Sequence, residues 1–337
     1  MDQKLTVQQL YTSVYDQCYS PCGKYLAACN NFGKIAVFNI SAALSPEGNE
    51  QNWRPVFKFT AHDGPVYTLV STDRFLISAG TGDIKAWIWT DIIRADNFHK
   101  TPNVAWCLSV PGESRFEHPE VNSLVLDNKN GTNSLFGAGG DGNVYMWDLE
   151  SGKLQNTFRG HTDYIHSLTL RKSSNECLSA SEDGTVRVWD VRIPQEAAHV
   201  IEPYKTERCN RPHLGKWIGC IAMDSADDWM VCGGGPNLSL WYMRSLAPTT
   251  VFTGSNACHQ FVKFHEDTII SGGNENLVTH WNISGTLKSQ VPCSSNSVYK
   301  VCVNDKSDSC KVLSVSGNSA NIDIFTNFGY KAFSLCF

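Results

Sequence analysis

Apolar and polar positions along this chain alternate in short runs that end in small residues. KYLAACN, FLISAG, ECLSAS and TIISGG are examples. Each is followed by a Gly/Asn/Asp-rich turn and a second alternating run that closes on an aromatic residue. GTGDIKAWIW, GGDGNVYMWD, SEDGTVRVWD, GGPNLSLWYM and GNENLVTHWN show this clearly, and NNFGKIAVFN and GNSANIDIFT are weaker copies. A period of two with tight turns predicts half-buried strands joined as hairpins.

The closing aromatics are Phe38, Trp87, Trp147, Trp189, Trp241, Trp281 and Phe325, spaced 49, 60, 42, 52, 40 and 44 residues apart. A repeat of that length with a terminal Trp-Asp resembles a four-stranded WD40 propeller blade. An earlier strand precedes each hairpin, as in PVYTLV, EVNSLVL, YIHSLTL and WIGCIAM, and KLQNTF or PVFKFT can follow as a fourth. The pattern therefore predicts an all-β fold: a seven-bladed WD40 β-propeller with four antiparallel strands per blade. It predicts one domain over 1–337, a leader at 1–10 in which Thr6–Leu10 is a short helix or loose, and long loops at about 90–120 and 201–219. KAFSLCF can complete blade seven, so no strand exchange between the ends of the chain is expected.

His161, Ser179, Asp183 and Trp189 lie in one repeat and include the residue types of a charge-relay hydrolase. In the WD40 family these positions form a buried chain. The resemblance implies that the Trp189 indole donates to Ser179, Ser179 bonds His161, and His161 donates to Asp183. Such a chain satisfies polar groups that are costly to bury alone. Partial copies recur elsewhere: His62, Ser78 and Trp87 with a displaced Asp83; Ser271 and Trp281 with Glu275; Asp141 and Trp147 with Gly137. A graded series fits structural staples, and no GxSxG turn presents a nucleophile. No catalytic site is expected.

Composition narrows the classes further. A net charge of -5 and a pI near 6.0 offer no general attraction to nucleic acid. No secretion signal or long apolar run is visible, so neither export nor a membrane role is expected. The 13 cysteines then read as reduced thiols, and Cys18, Cys22 and Cys29 as small hydrophobes, not zinc ligands. No cofactor, metal or small-molecule substrate is expected. His62, His118, His161, His213 and His259 all precede first strands; His166 and His280 fall inside strand patterns.

Function then falls to the loops. IEPYKTERCNRPHLGKWIG gathers Lys205, Arg208, Arg211, His213 and Lys216 beside Tyr204 and Trp217. Arginine among aromatics suits a protein interface or, less well at this overall charge, stacked RNA. Candidate partner-binding residues are Arg208, Arg211, His213, Lys216, Trp217 and Arg192. Arg192 ends Trp189-Asp190-Val191-Arg192, a string similar to the WDxR motif that docks propeller substrate receptors onto a cullin-type ubiquitin ligase adaptor. A structural pairing of Arg192 with a neighbouring carboxylate is the alternative.

SPCGKYLAACNNFGKIAVF, FTAHDGPVYTLVSTDR, RGHTDYIHSLTLR, RPHLGKWIGCIA, DWMVCGGGPNLSLW and FTNFGYKAFSLCF resemble, in order and spacing, the THO complex subunit 6 family. The resemblance implies a nuclear scaffold, in nuclear speckles, in the THO/TREX assembly that couples messenger-RNA synthesis and processing to export. It implies contact with helical THO subunits 5 and 7, with RNA touched indirectly or weakly.

Overall fold

Each aromatic-terminated run is the third strand of a four-stranded antiparallel sheet. The computed structural model describes residues 3–94, 101–112, 120–128, 133–307 and 310–337. Among these, the strands form seven such sheets, each built from four strands consecutive in sequence. Blades 1 to 7 span 14–60, 66–108, 121–159, 165–201, 218–251, 259–292 and 298–336. The fold class is the seven-bladed β-propeller. Blade 1 and blade 7 each use only their own stretch of chain, so no strand is exchanged between the ends.

The chain divides into two compact units. One comprises Met1–Pro119 and Val291–Phe337 and holds blades 1, 2 and 7. The other, Glu120–Gln290, holds blades 3 to 6 except the last residues of blade 6's outer strand. Apolar side chains fill the space between neighbouring blades within each unit. Trp189, fully buried, packs with Phe136, Met146 and Phe158 between blades 3 and 4. Trp241, Met230 and Val188 do the same between blades 4 and 5. Each such side chain contributes about 2–3 kcal/mol when removed from water.

Turn glycines permit the hairpins. Gly33 sits at φ +72, and a Cβ there would meet the His62 carbonyl oxygen at 2.0 Å, so only glycine fits. The leader is helical over Gln3–Leu10. In and beside the 90–120 stretch the described residues include a short helix, Trp89–Ile93, and the outer strand of blade 2, Val104–Leu108. That strand is mostly exposed and lacks the apolar alternation that marks inner strands, so its sequence does not announce it. Residues 95–100 and 113–119, with His118, lie outside the described residues.

A register feature repeats in every innermost strand. A bulge follows its first residue, as between Val14 and Asp16, Ile165 and Ser167, and Val298 and Lys300. The residue after the bulge is thereby aimed at the next blade. Asp16 Oδ2 accepts from the Leu69 N–H at 2.9 Å, and Ser123 Oγ accepts from the Leu168 N–H at 3.3 Å. Cys220 Sγ lies 3.6 Å from the His259 carbonyl oxygen.

The seam between blades 7 and 1 uses the same position with charge. Lys300 Nζ lies 3.0 Å from Asp16 Oδ1, whose side chain is 3% exposed. Burial alone lowers the Lys300 pKa, but the Asp16 carboxylate outweighs it and holds the ammonium above the usual lysine range. Gln17 Nε2 donates to the carbonyls of Ser314 at 3.0 Å and Lys300 at 3.3 Å. Asn304 Nδ2 donates to the Gly23 carbonyl at 2.8 Å. Toward the outside, Trp53 stacks on Phe333 with centroids 5.4 Å apart, and Lys58 sits over the Phe337 ring. Side chains do here what an exchanged strand would otherwise do.

Candidate interaction site

The polar set of blade 4 begins with a histidine in the loop entering the innermost strand and ends at the aromatic of the third. Trp189 Nε1 donates to Ser179 Oγ at 2.8 Å. Ser179 Oγ lies 2.7 Å from His161 Nε2, and His161 Nδ1 lies 2.8 Å from Asp183 Oδ2. Asp183 also accepts from the Thr162 and Thr185 N–H groups and from the Thr185 hydroxyl. Burial lowers the His161 pKa more than Asp183 raises it, so the ring is neutral at pH 7. Burial pushes the Asp183 carboxyl up, yet hydrogen bonds from His161 and Thr185 outweigh it and hold the group well below the usual range. A neutral ring donating Nδ1–H to a carboxylate could serve a triad. The serine hydroxyl, however, sits between the indole and the imidazole and is fully buried, where no substrate reaches it.

Other blades carry variations with the same logic. In blade 2, Trp87 donates to Ser78 at 3.0 Å and His62 Nε2 lies 2.9 Å from the same oxygen. Asp83 stands apart, near the Cys107 thiol. In blade 6, Trp281 donates to Ser271 at 2.8 Å, while Glu275 accepts from Ser255. In blade 5 a cysteine, Cys232, occupies the serine register opposite Ser239, and Trp241 donates to Ser239 at 2.8 Å. In blade 3, Gly137 faces the Trp147 ring, which a Cβ would approach within 2.9 Å. In blades 1 and 7 the anchor is Phe, without an N–H, and apolar Ala28 and Val315 fill the corresponding positions.

The 201–219 stretch joins the outer strand of blade 4 to the innermost strand of blade 5. Two short 3-10 turns, Pro203–Lys205 and Pro212–Leu214, shape it, each opened by a proline. Arg208, His213 and Lys216 are exposed on it. The Lys216 stem packs on Gly184, where a Cβ would fall within 3.0 Å of it, and its ammonium sits 5.9 Å from the Tyr204 ring centroid. Lys205 pairs with Glu202 at 2.7 Å. Trp217 is half-buried, donates to the Leu214 carbonyl at 3.1 Å and meets the His166 ring edge-on. His166 in turn bonds Glu182 at 2.7 Å.

Arg211 differs from its neighbours on this stretch and corrects the surface role expected of it. The side chain turns inward, and its guanidinium donates to the carbonyls of Gly234, Gly235, Pro236, Asn256 and Ala257 at 2.7–3.3 Å. Burial lowers its pKa. Nε, Nη1 and Nη2 all donate within the fold, so Arg211 braces the 201–219 stretch against blade 5 and the connection into blade 6. Sequence composition cannot separate it from Arg208, because inward and outward arginines look alike until the surrounding carbonyls are placed.

Arg192 forks onto Asp190, with Nε–Oδ1 at 2.8 Å and Nη2–Oδ2 at 2.7 Å, and its side chain is 68% exposed. The tie to its own strand matches the structural alternative for Trp189-Asp190-Val191-Arg192. Cys18, Cys22 and Cys29 carry no disulfide, and Cys29 is buried. Among the described residues, no group of His, Cys, Asp and Glu side chains is arranged to hold a metal, and no helix is long and apolar enough to cross a membrane. The seam residues Asp16 and Lys300 are missed by sequence reasoning; an acidic residue after the bulge of the first blade and a basic one after the bulge of the last was the available signal.

Comparison with known proteins agrees with this architecture. Residues 152–190, which end on the blade 4 anchor strand, match the family model described as WD domain, G-beta repeat. The chain is 51% identical over 333 residues to a Mus musculus protein named THO complex subunit 6 homolog, covering 98% of the chain and 94% of that protein. It is 49% identical, with the same coverage, to the Homo sapiens THO complex subunit 6. It is 32% identical over 284 residues to the Arabidopsis thaliana protein of that name, covering 80% of the chain and 73% of the relative.

Proposed function

The chain belongs to the THO complex subunit 6 family, and from that membership we propose that it is a non-enzymatic scaffold subunit of the nuclear THO complex. In this reading it works within the THO/TREX assembly that joins messenger-RNA synthesis and processing to export, and resides in nuclear speckles. Its propeller loops hold helical THO subunits, in particular subunits 5 and 7, and RNA is contacted through them.

The observation that carries the reading is identity near one half over 98% of the chain. Buried tryptophan staples in place of an accessible nucleophile support a scaffold over an enzyme. The exposed Arg208, His213 and Lys216 beside Trp217 supply the charged and aromatic mixture of an interface centre. Arg192 pairs with Asp190 of its own repeat, a structural role that accounts for the arginine without ligase docking.

A nuclear pull-down of the wild type and of Arg208→Ala/Lys216→Ala tests this, with equal thermal melts required of both proteins. Wild type should retain THO subunits, and the variant should lose the helical ones at least tenfold. Wild type recovered without any THO subunit would sink the scaffold reading. A variant that keeps all of them would remove the 201–219 stretch from the assembly surface.

A further inference from the structure

A cleft of about 300 Å³ opens between blades 3 and 4. It lies at the end of the strands opposite the 201–219 stretch, among the turn at 172–175 and the residues that follow Trp189-Asp190. Its floor is apolar, formed by Phe136 and Met146 from blade 3 and Leu170 and Val191 from blade 4.

Its walls carry opposite charge. The ionic side chains lining the blade 3 side are Asp127, Asp148 and Glu150, all acidic. Blade 4 contributes Arg171, Lys172 and Arg192, with Glu176 as its single acid. Several of these charges are already engaged. Arg171 pairs with Glu176 at 3.0 Å, Arg192 with Asp190, and Asp148 caps its own turn through Ser151. Glu150 and Lys172 are exposed, and among the described residues neither side chain has an ion pair. The pair leaves one free anion on one wall and one free cation on the other, above an apolar floor.

We infer that this cleft is a docking site for a short segment of a partner protein that carries one aliphatic side chain between a basic and an acidic residue. The aliphatic group fills the floor. The basic residue faces the acidic wall at Glu150, and the acidic residue faces Lys172. A purely apolar ligand would leave both wall charges without a partner as it displaced their water, and a ligand of one charge sign would meet repulsion from one wall. The site is separate from the 201–219 stretch and does not depend on the THO assignment.

The test uses the full chain with 13C-labelled Met, Leu and Val methyl groups and two synthetic probes, acetyl-Ala-Lys-Leu-Glu-Ala-amide and acetyl-Ala-Ala-Leu-Ala-Ala-amide. The bipolar probe should shift the Met146, Leu170 and Val191 methyl signals saturably. The uncharged probe should bind at least tenfold more weakly, the factor that about 1.4 kcal/mol of lost charge pairing produces. The swapped variant Glu150→Lys/Lys172→Glu, altered only at exposed positions and checked by thermal melt, should weaken the bipolar probe by a similar factor. Shifts absent at saturating probe, or equal for both probes and both proteins, would overturn the assignment. So would a concentration-dependent dimer of the wild type that the swap dissolves, since the occupant would then be a second copy of this chain. None of these outcomes bears on retention of THO subunits.

Discussion

His62 and His259 are each enclosed by their blades with little to stabilise a positive charge. Burial, helped by Lys85, lowers the His62 pKa to about 4; burial, helped by Arg211, lowers that of His259 to about 3. Among the described residues, Nδ1 of His259 has no hydrogen-bond partner. In the unfolded chain both rings titrate near 6.5. The unfolded state therefore binds more protons between the two values, and stability falls as pH drops through that window. Relative to pH 7, unfolding at pH 5 should be easier by about 2 kcal/mol for each ring. Urea melts of the wild type and of His62→Gln at the two pH values measure this. An equal pH dependence in both proteins would show that His62 titrates normally when folded. His161 is also held neutral, but its Asp183 partner opposes the effect of burial.

At the scale of one connection, the 201–219 stretch divides two arginines that differ only in where they point. Arg211 donates to five carbonyl oxygens from two segments, and Arg208 is exposed. Removing the first strands buried acceptors. Arg211→Ala should cost about 2–3 kcal/mol, and Arg208→Ala should stay within about 0.5 kcal/mol of wild type. Chemical denaturation of both variants decides it; equal melts would mean that the carbonyls find water in place of the guanidinium.

At the scale of the whole chain, the blade 7–blade 1 seam joins the first strand to strands near the end without a shared sheet. Gln17 and Lys300 lie 283 residues apart in sequence, so this contact carries a large loop-closure cost and forms only when the flanking blades are in place. Asp16 sits at its centre, bonded to its own blade, to Leu69 of blade 2 and to Lys300 of blade 7. Lys300→Met should leave a buried carboxylate without its counter-charge and cost about 3 kcal/mol. Hydrogen exchange should quicken in Val14–Tyr19 and Val298–Val303 and remain slow in Val186–Asp190. Uniform quickening across all three would contradict a seam that opens locally.

The sequence by itself determined the all-β class, the seven aromatic-anchored hairpins and the strand that precedes each. Alternation, turn glycines and the spacing to a tryptophan are local properties of a pleated hairpin, and the polar residues of blade 4 followed from the resemblance of that repeat to the WD40 family. The outer strand Val104–Leu108 escaped sequence reasoning, since a strand exposed on both faces has no apolar period to read. Tertiary structure alone decided which charged side chains reach solvent. It turned Arg211 inward onto carbonyls from two segments, brought Lys300 to Asp16, and set the acidic edge of blade 3 opposite the basic edge of blade 4. Each of these depends on how separate sheets pack, and the alternation along a single strand carries no record of the neighbour it will face.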